Sequence, residues 1–354
     1  MTRRPVIASV GTGMMGQLAH IGNYAKLRDD GVCEIAGVTD LQRSLAEAVA
    51  EKYRIPKVYG SLDELLADPA VDAVTCIQQW PNNYKLVKQI LNAGKSVITE
   101  KPMVGRVDEA EELVALANER GVLYTVGFMK RYDLGVELAR RLICEATESG
   151  ELGELRMVDA LCDGGDWLHN IEAPIRSSEP VNLPPLEPTY PDRCRTLQEQ
   201  AAYDWLLNIF SHNVNLCHYL LGTGMIPRSA RFHGTRAMAA TLDAGEVLVT
   251  VRGGMSKSPE WREWTTLTFE RGQIRIKTPT PMHRQLSAEV SVLKDNGGTM
   301  ATTTYHAPAG WAFFRQAEGF ANTLAGKDHL RTTAADALQD ARVLQGIIEI
   351  AEIA

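Results

Sequence analysis

The sequence predicts an α/β domain built on a doubly wound parallel sheet, followed by an α+β domain with an open, mainly antiparallel sheet. Up to Phe128, short apolar segments alternate with helical segments, which is typical of a parallel sheet with helices on both faces. Beyond Phe128, strand-like segments follow one another with turns between them. We therefore expect a first domain over residues 1–128 and a second over residues 129–354.

The composition is that of a globular protein with two domains of ordinary size. The 354 residues are 45% hydrophobic and 23% charged, with a formal net charge of −7 and no long basic run, so nucleic acid is not an expected partner. No apolar segment approaches the roughly 18 residues that span a bilayer. The Arg3-Arg4 pair lacks a following apolar signal segment. We expect no membrane association and a cytoplasmic location.

A glycine-rich turn joins the first strand, residues 6–10, to the first helix, residues 17–27. In such a Rossmann turn the first glycine permits a tight bend, the second lets the backbone approach a pyrophosphate, and the third allows close helix-strand packing. The N–H groups at the helix start face the negative charge. A turn that binds nothing is the alternative. The residues predicted to hold a dinucleotide here are Gly11, Gly13, Met14, Met15 and Gly16.

Asp40 ends the second strand, residues 34–40, near the distance from the turn at which a carboxylate accepts the ribose hydroxyls of NAD. This carboxylate would repel the 2′-phosphate of NADP. Arg43 lies three residues further and could instead face that phosphate. NAD is therefore the expected cofactor, and NADP stays open.

Helices and strands continue to alternate after Asp40. Ser61 is predicted as a helix N-cap, and Gly121 ends a later helix. The predicted helices lie at 42–53, 61–67, 84–93 and 108–120, and the predicted strands at 58–60, 73–78, 96–99 and 122–128.

The second domain opens with a helix and a long strand, and two helices close the chain. The predicted elements are a helix at 134–147, a strand at 154–162, a loop at 163–200, an apolar helix at 203–221, strands within 229–305, and helices at 311–325 and 333–353. Helices on one face of this sheet would leave an open face, which we expect a second copy to bury in a homodimer or homotetramer. A wetted face is the alternative. The apolar strand residues considered for this face are Trp264, Leu267, Phe269, Ile274 and Ile276.

The strand at 96–99 runs into Glu100-Lys101-Pro102. Ligands of open α/β sheets bind at the carboxyl ends of the strands, so Lys101 is expected near the nicotinamide end of the cofactor. There it could exchange a proton with a substrate hydroxyl. A solvated lysine is the alternative.

The glycine turn, Asp40 and the segment AGKSVITEKP at 93–102 together resemble the glucose-fructose oxidoreductase / inositol dehydrogenase / MocA family. The resemblance covers nearly the whole chain. It implies an NAD(P)-dependent dehydrogenase or reductase that acts on a secondary alcohol or ketone of a sugar, polyol or related cyclic compound. It also implies that Lys101 is catalytic and that Pro102 helps to place it, with Glu100 beside the cofactor.

The family motif D-x-G-x-H-x-x-D matches residues 208–215, where the histidine is kept as His212 and both acids are Asn. Independently, Asp204, Asn208, Ser211, His212, Asn215 and His218 form a polar stripe with one charge, which favours an enclosed polar site over solvent. We assign His212 and Asn208 to catalysis and Asn215 to substrate. A core histidine is the alternative for His212, and either Lys101 or His212 could be the main proton acceptor.

Gln79, Trp80 and Asn83 stand where many relatives have a Thr-Pro pair followed by His, and we assign them to the nicotinamide ribose. An ordinary loop is the alternative.

In the long loop, Asp166 and Trp167 suit a sugar, which offers hydroxyls and C–H faces. The alternative is an insertion that contacts a neighbouring subunit. Arg131 is assigned to the substrate by resemblance, with a domain-bridging ion pair as its alternative. The six scattered cysteines indicate reduced thiols, and we expect no metal.

Two other functions stay open. One is a glycosidase or lyase that oxidises its substrate transiently and returns the hydride. The other is a non-catalytic sensor of cofactor or sugar.

Overall fold

The computed structural model describes residues 3–181 and 185–354, so residues 182–184 of the predicted loop lie outside the described residues. Two compact units divide the chain. The first comprises Met1–Phe128, Ile171–Thr189 and Phe313–Ala341, and the second comprises Met129–Asn170, Tyr190–Ala312 and Arg342–Ala354. The first unit thus includes two later segments that the predicted boundaries assign to the second domain.

The helices and strands are as follows in chain order. The helices are α1 (Gly22–Asp29), α2 (Arg43–Tyr53), α3 (Leu62–Ala67), α4 (Asn83–Asn92), α5 (Val107–Arg120), α6 (Leu134–Ser149), α7 (Leu197–Trp205), α8 (Ser211–Leu221), α9 (Ala312–Leu324) and α10 (Ala334–Glu349). The strands are β1 (Val6–Val10), β2 (Glu34–Thr39), β3 (Ala73–Cys76), β4 (Ser96–Thr99), β5 (Tyr124–Val126), β6 (Leu155–Cys162), β7 (Ile226–His233), β8 (Ala237–Ala244), β9 (Val247–Gly254), β10 (Glu263–Phe269), β11 (Gly272–Lys277), β12 (Glu289–Asp295), β13 (Met300–His306) and β14 (Ala351–Ile353).

The first unit is built on a five-stranded sheet in the order β2-β1-β3-β4-β5, with all of its pairings parallel. Adjacent β1 residues, Ile7 and Ala8, belong to separate apolar clusters because successive side chains of a strand point to opposite faces. Helices α1, α2 and α9 contribute to one cluster, and α4 and α5 contribute to the other. The predicted doubly wound sheet is confirmed. Its strand order reverses between β1 and β3, which is where ligands of such sheets bind.

The strand predicted at 58–60 is wrong: this segment forms only an isolated bridge between Val58 and Val38. Ser61 caps α3 as predicted, since its side chain accepts a hydrogen bond from the Glu64 N–H at 3.1 Å.

The second unit is built on a nine-stranded sheet in the order β13-β12-β11-β10-β6-β9-β8-β7-β14. Within this nine-stranded sheet, only the β6-β9 and β14-β7 pairings of the described strands are parallel, so the mainly antiparallel character is confirmed. Helix α6 packs against β11 and β12, and α8 packs against β6. The helix predicted at 333–353 is too long. It ends at Glu349, and Ala351–Ile353 adds an edge strand beside β7, a long-range pairing that local helix periodicity does not report.

The prediction that five apolar strand residues lie on the open face of this sheet is wrong for four of them. Trp264 is half-buried, whereas the other four belong to the core of this unit. The reason is the two-residue period of a strand, which places Leu267 on the opposite face from Trp264. The four core residues are Leu267, Phe269, Ile274 and Ile276.

Candidate functional site

The glycine turn follows β1 at the point where the strand order reverses. Gly11 has a φ of +94°, and a Cβ there would lie 2.2 Å from the Ile77 carbonyl oxygen. A Cβ on Gly16 would lie 2.5 Å from the Gly11 carbonyl oxygen. By contrast, no described atom beyond its chain neighbours lies within 4 Å of a Cβ built on Gly13. The turn therefore has two glycines that the fold requires and one that faces open space, which fits the close approach of a pyrophosphate.

Asp40 connects the end of β2 to this turn. One carboxylate oxygen accepts hydrogen bonds from the Thr12 N–H at 2.7 Å and the Thr12 hydroxyl at 2.9 Å. The other oxygen accepts from the Gln42 N–H at 3.0 Å. The acid thus stands beside the turn, where a carboxylate can accept the ribose hydroxyls of a dinucleotide.

Arg43 is the first residue of α2, and its side chain is exposed. Its Nε lies 2.8 Å from a carboxylate oxygen of Glu47 one helical turn further. In the turn itself, Met14 is 39% exposed and Met15 is half-buried.

Lys101 follows β4 at the carboxyl edge of the same sheet. Its residue is half-buried, its peptide bond to Pro102 is cis, and its N–H donates to the Glu100 carboxylate at 3.2 Å. Glu100 also lies 2.7 Å from His20 Nε2, and this pair is buried. The His20 side chain comes from the π-helical turn Gly16–Ile21 that follows the glycines.

Asn83 lies at the start of α4 and is fully buried. Its amide donates to the Pro102 carbonyl at 3.0 Å and to the carbonyls of Glu100 and Met103 at 3.4 Å. Because no surface of this side chain is exposed, Asn83 supports the lysine-bearing segment in this structure and does not face a ligand. Gln79 is exposed and precedes a short 3-10 helix that begins at Trp80, so both remain near the carboxyl end of β3.

The polar stripe lies in the second unit, on a continuous helical segment made of α7, a π-helical turn at Leu206–Phe210, and α8. At its start, Thr196 and Glu199 form a capping box. Asp204 accepts a hydrogen bond from the Tyr190 hydroxyl at 3.0 Å, and burial raises the pKa of Asp204 against the opposing effect of that bond. The π-helical turn changes the 3.6-residue period that the predicted stripe assumes.

The residues of the stripe differ in exposure. Asn208 is exposed, His212 is half-buried, and Ser211 is fully buried. The stripe therefore ranges from exposed to fully buried along the helical segment.

Arg131 and Asn215 are brought together, although the sequence assigned both to substrate. The Arg131 Nε donates to Asn215 Oδ1 at 2.9 Å, and the guanidinium lies 5.2 Å from the ring centroid of Tyr219. Arg131 is 3% exposed and Asn215 is 1% exposed, so this contact stabilises the interior between α8 and the segment before α6.

A buried polar cluster, which the sequence did not predict, lies where β10 begins. The Glu263 carboxylate pairs with the Lys130 ammonium and accepts hydrogen bonds from Asn213 Nδ2 at 3.1 Å and Trp261 Nε1 at 3.0 Å. In the sequence Lys130 stands next to Arg131 and close to Asp133, so its charge carries no local signal of burial. Its partner lies 133 residues away and could not be read from local pattern.

Asp166 and Trp167 lie in the same unit after β6. The Asp166 N–H donates to the Ser258 carbonyl at 3.1 Å, and its carboxylate accepts from the Leu168 N–H at 3.1 Å. Asp166 is exposed and Trp167 is half-buried. Both are accessible to a small molecule.

Residues 3–181 and 185–354 contain no metal-binding cluster, no membrane-spanning helix and no disulfide bond. No group of three or more His, Cys, Asp or Glu side chains in these ranges is arranged to hold a metal ion. Within the same ranges, no helix combines the length and apolar character needed to cross a bilayer. All six cysteines are free, and burial raises the pKa of Cys33, Cys76 and Cys162 to about 12.

Residues 6–128 match the family described as "Oxidoreductase family, NAD-binding Rossmann fold", the Gfo/Idh/MocA family. The resemblance predicted from the sequence is confirmed over these residues.

Curated relatives match over part of their length. The trans-1,2-dihydrobenzene-1,2-diol dehydrogenase of Bos taurus is 36% identical over 36% of this chain and 37% of its own. The inositol 2-dehydrogenase/D-chiro-inositol 3-dehydrogenase of Lacticaseibacillus casei is 32% identical over 44% of this chain and 43% of its own. The chain thus matches less than half the length of each of these two relatives.

The whole fold is similar to solved structures. KijD10, a 3-ketoreductase from Actinomadura kijaniata solved with NADP and TDP-benzene, aligns with a TM-score of 0.75 over 99% of both chains at 18% identity. At this identity the likeness shows the fold alone.

Proposed function

We propose that this chain is an NAD(P)-dependent dehydrogenase or reductase that acts on a secondary alcohol or ketone of a sugar, polyol or related cyclic compound. The observation that carries the proposal is the turn geometry: Gly13 faces open space between two glycines that the fold requires. Asp40 borders the same turn, and Lys101 lies at the carboxyl edge of the same sheet.

The nicotinamide ring, when bound, supplies or accepts a hydride. We assign Lys101 to the proton of the reacting oxygen, because its backbone is held by the buried Glu100 carboxylate beside the proposed cofactor cleft. His212 is the second proton acceptor in this proposal. Asn208 is exposed, so we assign it a role only in orienting a bound substrate or the His212 ring.

Asp40 favours NAD as the cofactor in this proposal, because a second negative charge beside its carboxylate would be repelled. The exposed ion pair of Arg43 with Glu47 supports this preference, since the guanidinium is already paired within α2. Gln79, Trp80, Glu100 and Pro102 are proposed to lie towards the nicotinamide end.

The substrate class rests on the names of the two curated relatives, both of which describe a ring with adjacent oxygen-bearing carbons. We propose a cyclic compound of this kind for the present chain. Asp166 and Trp167 are the proposed contacts, because both are accessible. Arg131 and Asn215 are proposed to support the substrate-contacting residues indirectly, since both are buried and hydrogen-bonded to each other.

Incubation with NAD or NADP and a panel of cyclic diols, sugars, polyols and glycosides in deuterated water tests the proposal. Reduced cofactor that accumulates with a ketone product is the expected result, and Lys101→Ala should lower kcat at least about a hundredfold. Lys57→Ala, an exposed lysine paired with Glu64, is the matched control and should keep full activity. Deuterium incorporation or bond cleavage without net reduction would instead establish the transient-oxidation enzyme.

A homodimer or homotetramer through the open face of the nine-stranded sheet is part of this proposal. Met157 on β6 and Leu248 on β9 are paired neighbours and are 36% and 43% exposed. Light scattering on the purified protein measures the mass, and a Met157→Glu/Leu248→Glu variant should shift it to the monomer.

A further inference from the structure

A segment from the middle of the chain, Ile171–Thr189, belongs to the first unit and lies against the glycine turn. The buried Gln17 amide holds it: Oε1 accepts from the Ile175 N–H at 2.8 Å, and Nε2 donates to the Ile175 carbonyl at 3.0 Å. The same Nε2 donates to the Thr12 carbonyl at 2.7 Å. One side chain therefore joins this segment to the turn that the proposed cofactor would contact.

Four residues further along the segment, Glu179 reaches the start of α2. Its carboxylate accepts the Ser44 N–H at 2.7 Å, while its carbonyl accepts from Gln42 Nε2 at 2.9 Å. Ser177 adds a 2.7 Å hydroxyl contact to Ser44. Hydrogen bonds from the Ser44 hydroxyl and from the Ser44 and Arg43 N–H groups hold the pKa of Glu179 below its usual range, so Glu179 is ionised at neutral pH.

The negative charge of Glu179 lies at the N-terminus of helix α2, where the helix macrodipole favours an anion. Its N-cap residue, Gln42, makes no side-chain capping bond to any described residue, and its first turn contains no acid. Glu179 supplies the missing negative charge from another part of the chain.

The Glu179 carboxylate lies where a dinucleotide-binding sheet would bind a 2′-phosphate. In a dinucleotide-binding sheet the adenosine ribose lies beside the acid that ends the second strand, and a 2′-phosphate is bound by groups just after that acid. Here the acid is Asp40, and the groups just after it are the N–H donors and side chain of Arg43 and Ser44. Glu179 already occupies the donors that would bind a phosphate at a helix start.

We propose that Glu179 is a specificity-determining residue that excludes the 2′-phosphate of NADP from the start of α2 and thereby selects NAD. The inference rests on the proposed dinucleotide-dependent function. A bound 2′-phosphate would have to displace the carboxylate from the Ser44 N–H or stand next to it, and both are unfavourable. Asp40 acts on the ribose hydroxyls, and Glu179 acts on the phosphate position beside them.

Titration of the purified full chain with NADH and with NADPH, followed by nicotinamide fluorescence, tests this role. Wild type should bind NADH more tightly than NADPH. Glu179→Gln keeps an acceptor for Ser44 but removes the charge, and it should tighten NADPH binding about tenfold while NADH affinity stays within about twofold. Glu179→Asp keeps the charge and should keep the preference for NADH.

Glu172→Gln is the matched control, because Glu172 lies on the same segment but pairs with Lys52 near the other end of α2, at 2.7 Å. It should leave the ratio of the two affinities unchanged. Raising the salt concentration should narrow the affinity ratio more in wild type than in Glu179→Gln, since the variant lacks one of the two carboxylates whose repulsion is screened and keeps Asp40. A merely structural role for Glu179 would not produce this difference.

An unchanged ratio in Glu179→Gln, or an equal loss of affinity for both nucleotides, would overturn the role of Glu179. Tighter wild-type binding of NADPH than of NADH would do the same. Failure of the wild type to bind either nucleotide would overturn the proposed function itself, and that outcome is distinct because it needs no variant.

Discussion

His20 Nε2 lies 2.7 Å from a carboxylate oxygen of Glu100, and both side chains are buried. His20 belongs to the helical turn after the glycines, and Glu100 directly precedes Lys101. The pair therefore links the proposed pyrophosphate site to the proposed catalytic lysine. It fixes the spacing of two parts that act on one cofactor in the proposed function.

Removal of the Glu100 carboxylate should destabilise the first unit. Glu100→Ala leaves His20 Nε2 and the Lys101 N–H without this acceptor, so the free energy of unfolding should fall by about 1–3 kcal/mol. Glu100→Gln retains an acceptor and should lose less. Urea denaturation without nucleotide measures both, and equal stability of Glu100→Ala and wild type would contradict the structural role.

The first and third glycines of the turn should be required for folding. In Gly11→Ala, the new Cβ meets the Ile77 carbonyl oxygen at 2.2 Å, and in Gly16→Ala it meets the Gly11 carbonyl oxygen at 2.5 Å. Each change should cost more than about 2 kcal/mol in thermal or urea unfolding. Gly94→Ala is the control, because Gly94 also has a positive φ, +69°, but its Cβ would meet no described atom beyond its chain neighbours within 4 Å. Its cost should be limited to about 1 kcal/mol of backbone strain.

Glu199 should make the stability of the second unit depend on pH. Hydrogen bonds from the Thr196 N–H, the Arg193 side chain and the Arg195 N–H lower the pKa of Glu199 from 4.5 to about 2. Because the folded pKa is the lower one, its stabilisation is complete above about pH 4.5 and is lost as the pH falls towards 2. The melting temperature of wild type should exceed that of Glu199→Gln by a constant margin at neutral pH, and the margin should shrink below pH 4.5. Glu246→Gln, an exposed acid in the β8–β9 turn, should show no such margin.

The contact between Arg131 and Asn215 should contribute to stability. Asn215→Leu removes the Oδ1 that accepts the buried Arg131 Nε, which should lower the free energy of unfolding by about 1–3 kcal/mol. Asn215→Asp keeps an acceptor, and the exposed change Asn208→Ala should cost less than about 0.5 kcal/mol. If Asn215→Leu unfolded like wild type and lost only substrate affinity, the residue would be a direct substrate contact.

Local pattern sufficed to predict much of the fold. The apolar strands of the first unit, the glycine turn and the Ser61 cap depend on neighbouring residues, so the sequence predicted them within a few positions. The pairing of Ala351–Ile353 with β7 depends on a distant strand, and helix periodicity carried the prediction past the true end of α10.

The candidate site, like the fold, was predictable only where it depends on residues that are close in sequence. Asp40 and the glycines follow from a short motif with fixed spacing, and the structure places them together. The roles of Gln17 and Glu179 depend on a segment more than 130 residues away from the turn in sequence, and no local signal reports such a contact. The π-helical turn at Leu206–Phe210 contains Asn208 and departs from the 3.6-residue period on which the predicted polar stripe relied.

Calorimetric titration of NADH into wild type and Gly13→Val tests the central claim most directly, because a Cβ at Gly13 meets no described atom beyond its chain neighbours within 4 Å and projects towards the proposed pyrophosphate position. We expect saturable binding to wild type, and a Gly13→Val protein that melts within about 2 °C of wild type but binds NADH at least about tenfold more weakly. Absence of nicotinamide nucleotide binding by wild type, or equal affinity in the folded Gly13→Val protein, would contradict the claim that this turn holds the cofactor.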